Sequence, residues 1–175
     1  NLQVLAHRKS EHLPGLIGEL SRLLRYLVYQ TNEKLVPLED ELRFIKSYLE
    51  LQRLQVSKKT ELVFDLEGEV MHQHRIPPMV LLLFVENCFK HHSSRSSKGA
   101  FIHLRFRIAE GRFYAHISNS YRANYRNEDT MSIRAGSGVG LPTAVENLDL
   151  IYKENYQLDI NAEEGVYSVS LEVPL

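Results

Sequence analysis

The chain has 175 residues, 43% of them apolar and 25% charged, which suits one globular domain, or one with a helical appendage, and excludes a disordered or fibrous chain. A formal net charge of −1 excludes a global basic field that would draw it to nucleic acid or an anionic membrane surface. A single cysteine, Cys88, excludes an internal disulfide framework and suits a reducing compartment.

No apolar run reaches the ~18–20 residues that span a bilayer. The opening residues, NLQVLAHRKS, read as neither a signal peptide nor an initiator Met, so the chain is expected to be a fragment of something longer, with any membrane span upstream of Asn1. Leu13, Leu16, Ile17, Leu20, Leu23, Leu24, Leu27 and Val28 form the i, i+3, i+4, i+7 stripe of an amphipathic helix. After a break over residues 30–37, a second helix is predicted from Leu38. Leu42, Ile45 and Leu49 lie on one face, and Phe44, Tyr48 and Leu51 on another. A helix apolar on two sides has two sides to bury, so either a symmetric dimer bundle or the rest of this chain must cover it.

From residue 61 the period changes to that of strands. Residues 61–68 read as a strand and its turn, 71–78 as loop, and Pro77 to about His92 as a helix with proline in its first turn. Residues 100–108 and 112–120 alternate as antiparallel strands joined at Ala109–Glu110–Gly111. The polar stretch 121–138 is too long for a simple turn and reads as a functional loop. Residues 140–153 are predicted helical, and 156–162 with 166–175 form a closing hairpin. The expected class is α+β, with helices laid on one mixed, mostly antiparallel sheet.

Two segments carry chemistry. The helix from Pro77 is apolar from Met79 to Val85 and then carries Glu86 and Asn87, with Lys90 and His91 four residues on. An acid, an amide and a cation side by side suit a metal-bound polyphosphate: the amide oxygen can ligate magnesium, the carboxylate can orient an acceptor, and the ammonium can meet a phosphate. A surface Glu–Lys pair ending a core helix reads equally well from this segment alone. The second segment, GSGVGL (136–141), sets Gly136, Gly138 and Gly140 before an amphipathic helix, where backbone N–H groups can approach an anion. No Lys-Ser/Thr follows, so it is no Walker loop, and it does not follow a strand as a dinucleotide fingerprint would.

Together, VENCFKHH (85–92) and GSGVGL resemble the N-box and the glycine-rich box of the GHKL ATPases. Within that superfamily the chain is similar to the Lyt-type sensor histidine kinases. Residues 20–29, 36–52, 76–92, 136–152 and 169–175 stand in that family's order. The resemblance implies a Bergerat-type α/β sandwich over residues 57–175, preceded by a helical dimerisation segment over 1–56. It implies ATP and Mg2+ as cofactors, with Asn87 as the magnesium ligand and Glu86 and Lys90 as catalytic residues. Lys90 and His91 would lie by the phosphates, Gly136, Gly138 and Gly140 would wrap them, and Leu141 and Asn119 would complete the nucleotide-binding set. It further implies a homodimer through the N-terminal helices, a LytTR-type response regulator as partner, and no direct contact with nucleic acid. The location implied is the cytoplasmic portion of an inner-membrane protein.

The chain departs from the family in places. The adenine-binding segment, usually an Asp closely followed by Gly, reads ISNSYRA, with Asn119 and Tyr121 at those places; Thr143, Asn147 and Gln55 replace other usual residues. The phosphoacceptor motif is expected just before Asn1; His7 and His12 lack its surroundings. The function implied is transfer of the γ-phosphoryl of ATP to a histidine upstream, for relay to a response regulator. Two alternatives stand beside it: a degenerate signalling module without catalysis, and a stand-alone GHKL ATPase. Of the remaining residues, His72 and His74 are expected on the solvated surface, His103 and His116 to pack or bond locally on strands, and Cys88 to pack rather than react.

Overall fold

The computed structural model describes residues 18, 21, 33–53, 56–91, 99–121, 140–163 and 165–175. Nearly all of the helix expected over 13–28, the loop beyond Tyr121, and Gly136 and Gly138 lie outside these residues.

The described chain opens with a short strand β1 (Val36–Pro37) that leads into helix α1 (Leu38–Gln52). Glu39, Asp40 and Glu41 occupy the first turn of α1, where carboxylates complement the positive end of the helix dipole. Arg43 reaches back to Glu39 at 2.8 Å and Asp40 at 3.2 Å on the exposed face. Leu38, Leu42, Phe44, Ile45 and Leu49 are all buried within the single chain. Both apolar faces of α1 thus find much of their cover inside the chain itself.

Strand β2 (Glu61–Glu67) pairs in parallel with β4 (Phe101–Ala109), and between them lie β3 (Arg75–Ile76) and helix α2 (Val80–His91). A parallel pair cannot close through a tight turn, and the crossover through α2 supplies the necessary length. Strand β5 (Arg112–Ser120) returns from β4 through a two-residue turn in which Glu110 and Gly111 take φ of 53° and 69°. Two consecutive positive φ values match the twist of a hairpin. Helix α3 (Gly140–Tyr152) follows, then the hairpin of β6 (Gln157–Glu163) and β7 (Val166–Pro174). The five-stranded sheet runs β2-β4-β5-β7-β6, parallel only at β2/β4, while β1 and β3 form a separate two-stranded ribbon. The expected α+β class with a mixed, mostly antiparallel sheet is what the chain adopts.

Two local expectations are corrected. The segment 71–78 is not loop throughout, because Arg75 and Ile76 pair with Pro37 and Val36. Helix α2 begins at Val80 and not at Pro77: Pro77 and Pro78 lack N–H donors, and Met79 turns the chain at φ 67°. That left-handed conformation costs a non-glycine residue ~1–2 kcal/mol. Glu41, fully buried on α1, accepts the Met79 N–H at 2.8 Å, and Met79 O accepts from Leu83 N at 2.9 Å. A carboxylate from a different helix therefore satisfies a backbone donor at the start of α2, as a local N-cap side chain would.

One face of the sheet is apolar by strict alternation. Ile102, Leu104 and Phe106 of β4 lie beside Phe113, Ala115 and Ile117 of β5, and Tyr167, Val169, Leu171 and Val173 of β7 extend the layer. Helix α2 lies on β4 and β5 over this layer, with α1 and α3 packed against it. The buried residues of α1, α2, α3 and the sheet form one hydrophobic core.

Candidate functional site

On α2, burial separates the helix into two sides. Val80, Leu81, Leu82, Phe84, Val85 and Cys88 are buried, whereas Glu86 and Lys90 are exposed and Asn87 is half-buried. The helical period alone creates this division, since Glu86 and Lys90 are one turn apart and Asn87 lies at the seam. The side chain of His91 lies outside the described residues.

Helix α1 closes one flank of the stripe. Tyr48 meets Phe89 edge to face, with ring centroids 5.7 Å apart. Burial, reinforced by the Glu86 charge, pushes the Tyr48 phenol up to about 12, so it stays neutral at ordinary pH beside the carboxylate. Cys88, on the opposite side of α2, is fully buried, and burial pushes its thiol well above the usual range. A thiolate is thus strongly disfavoured there, and Cys88 packs as expected.

The other flank of Asn87 is decided by the sheet. Asn87 Nδ2 donates to Tyr167 Oη at 2.7 Å. Tyr167 is fully buried, and its phenol is likewise pushed up to about 12, chiefly by burial. In the sheet register Tyr167 is the direct cross-strand partner of Asn119, which in turn pairs with Ile102. Direct partners share a face, with Cβ atoms ~4.5–5.5 Å apart. Tyr167 therefore joins the two amides that sequence analysis singled out: it bonds Asn87 above and stands beside Asn119 in its own layer.

Asn119 is fully buried. Its Nδ2 donates to Ser120 O at 3.0 Å, while its Oδ1 has no partner among the described residues. A buried acceptor without a donor is costly, and a ligand amino group would remove that cost. The end of β5 is fixed nearby, where Ser120 Oγ accepts from Phe101 N at 3.1 Å and Tyr121 N donates to Gly165 O at 2.9 Å.

Gly140 opens α3, followed by Leu141, whose side chain is buried in the core with Ala144 and Leu148. Because α2 packs along α3, the elements carrying Asn87 and Gly140 are neighbours. Any part Leu141 plays toward a ligand would fall to its backbone, at the helix N-terminus.

Among the described residues no group of three or more His, Cys, Asp or Glu is arranged to hold a metal ion. The donor that fits a hard cation here is the amide oxygen of Asn87. A magnesium ion so placed would take its other ligands from phosphate and water, as that ion commonly does.

Three of the other described histidines, His74, His103 and His116, serve locally. His116 Nδ1 lies 3.0 Å from Ser170 Oγ, and burial, aided by Arg105 and His103, lowers its pKa. His103 Nε2 is 3.5 Å from Glu61. His74 departs from expectation: it is buried, and its Nδ1 accepts from Met71 N at 3.1 Å, shaping the turn before β3. An open groove of about 510 Å³ runs across the outer face of the sheet, with Asp65, Arg105, His116 and Asp159 in its lining. It faces away from Asn87 and Asn119 and has no part in this site.

A family model described as histidine kinase matches residues 1–60. The sensor protein LytS of Enterococcus faecalis is 24% identical over 99% of this chain and 31% of its own length. The sensor protein LytS of Bacillus cereus is 25% identical over 93% of this chain and 28% of its own length. The chain resembles the Lyt-type sensor histidine kinases. It spans less than a third of the length of these Lyt-type relatives. In fold, it superposes on the histidine kinase domain of the blue-light activated histidine kinase EL346 of Erythrobacter litoralis with a TM-score of 0.58. That match covers 98% of this chain and 83% of the other at 11% identity. The catalytic domain of histidine kinase ThkA gives 0.53 over 80% of this chain and 93% of the other, at 14% identity.

Tyr167 was not legible as a site residue in the sequence. Its signal was a single polar tip in the otherwise apolar inward stripe Tyr167–Val169–Leu171–Val173, and only the strand register connects that tip to Asn87.

Proposed function

We propose that this chain is the ATP-binding catalytic part of a two-component sensor histidine kinase, which binds Mg–ATP between α2 and α3 and transfers the γ-phosphoryl to a histidine of the full protein. The observation that carries this reading is the juxtaposition of Asn87 and Asn119 around Tyr167: an oxygen donor for a cation at one end, a buried acceptor lacking a donor at the other. Mg–ATP would supply the transferable phosphoryl group and the charge that organises it.

The chain's own residues do the positioning, which is most of what phosphoryl transfer requires. Asn87 Oδ1 holds the cation, Lys90 neutralises phosphate charge from one helical turn away, and Glu86 orients the incoming acceptor imidazole. Asn119 Oδ1 accepts from the adenine amino group. Gly136, Gly138 and Gly140, with the N-terminus of α3, donate backbone N–H groups to the phosphates. His91, next to Lys90 in the chain, adds a second group at the phosphate end. The N-terminal helices form a homodimer, and a LytTR-type response regulator receives the phosphoryl group; the full protein is membrane-anchored, with this part on the cytoplasmic side.

Calorimetric titration of the chain with Mg–ATP tests the site. Asn87→Ala is expected to abolish magnesium-dependent binding, and an unchanged affinity in that variant would sink the assignment. One observation favours a second reading, a degenerate signalling module: at position 119 an amide, already spending its Nδ2 on Ser120 O, stands where the family usually has a carboxylate. Absence of Mg–ATP binding by the unaltered chain would decide for it.

A further inference from the structure

We infer that Tyr167 is a positioning residue that sets which end of the Asn87 amide faces the metal, and so tunes magnesium dependence rather than nucleotide binding as such. The inference rests on the Mg–ATP reading of the site.

An asparagine amide on a half-buried seam is ambiguous. It can present either oxygen or nitrogen to a neighbour, and only the oxygen can ligate a cation. The neighbour on this side is the Tyr167 phenol, whose oxygen accepts from Nδ2 at 2.7 Å. With Nδ2 occupied, Oδ1 is directed away from Tyr167. The phenol is itself fixed: Tyr167 is fully buried in the inward layer of β7, held between Asn119 of β5 and Ala162 of β6 in the sheet register. A buried side chain in such a layer has few alternative rotamers. Metal ligands are regularly oriented by a hydrogen bond to their other polar atom, and losing that bond commonly weakens metal affinity about 10- to 100-fold.

The same tyrosine does not bond Asn119; it only stands beside it. Tyr167→Phe should therefore separate the two ends of the site. It keeps the ring that packs the layer and removes the hydroxyl that orients Asn87.

Two measurements on the full chain test this. The first is ADP affinity in chelator and across a magnesium titration. For Tyr167→Phe the magnesium concentration at half-effect is expected to rise about 10-fold, with ADP affinity in chelator unchanged. An unmoved magnesium midpoint, or an equal loss of ADP affinity with and without metal, overturns the positioning role. The second needs no variant to fold: in the ligand-free chain, the Asn87 Nδ2 protons should exchange more slowly than those of exposed asparagines. Exchange at the rate of exposed side chains overturns it as well. If the unaltered chain fails to bind magnesium nucleotide at all, the functional reading falls and takes this inference with it. If it binds and Asn87→Ala abolishes the metal effect while Tyr167→Phe does not move it, only the positioning role falls.

Discussion

At the scale of single residues, the candidate site contains two amides whose two ends are used differently. Asn87 gives its nitrogen to Tyr167, and Asn119 gives its nitrogen to the Ser120 carbonyl. In Asn119 this second bond uses the amide nitrogen, a donor that a carboxylate at the same place would lack. Asn119→Asp would place a carboxylate oxygen against a backbone carbonyl in a fully buried position. The loss of that bond and the new repulsion should destabilise the fold by about 1–3 kcal/mol. Urea denaturation checks this, and an unchanged midpoint at neutral pH would show that the Ser120 contact is not limiting. From sequence, Asn87 was singled out by its place in an otherwise apolar helix, and Asn119 through the family resemblance. Their hydrogen-bond states were not legible, since these depend on Tyr167 and Ser120 geometry that no spacing rule encodes.

At the scale of elements, the informative contact is between α1 and α2. Glu41 lies three residues into α1 and is fully buried, yet its carboxylate serves the backbone at the start of another helix. Three acids occupy the first turn of α1, where an exposed carboxylate suits the helix dipole. Two of the three, Glu39 and Asp40, do pair with Arg43 in that manner. The third is turned inward because Met79, held at φ 67°, points its N–H at it. Glu41→Ala should leave that donor unsatisfied and cost about 1–3 kcal/mol. Amide exchange in the first turn of α2 should accelerate more than in α3. Uniform acceleration across the helices would indicate general loosening and not the loss of a cap. The helix that carries Glu86 and Asn87 is thus secured at its start by α1 and near its end by β7, through Tyr167.

At the scale of the whole molecule, α1 cannot be detached from the sheet without opening the core. Leu38, Leu42, Ile45 and Leu49 are each at most 4% exposed, and each buried aliphatic side chain contributes ~1.5–3 kcal/mol. Together these approach the net stability of a typical domain, ~5–15 kcal/mol. A fragment of residues 57–175 is accordingly expected to lose cooperative unfolding and bind a hydrophobic dye, while a fragment beginning near residue 33 should melt cooperatively. Cooperative melting of the shorter fragment, without dye binding, would place α1 outside the folding unit.

The sequence by itself determined the order and type of the three helices and of the five strands of the main sheet, because each announces itself through its own period: 3.6 for α1, α2 and α3, and two for the strands; the β1–β3 ribbon, two residues a strand, has no period to read. It also singled out Glu86, Asn87, Lys90 and Gly140 as candidate positions, because their residue types are unusual for their surroundings. The tertiary structure alone decided the parallel pairing of β2 with β4, the inward turn of Glu41, and the placement of Tyr167 between Asn87 and Asn119. Those three depend on pairings between residues about 40 to 80 positions apart. A local period carries no record of such a pairing; packing of the whole core selects it.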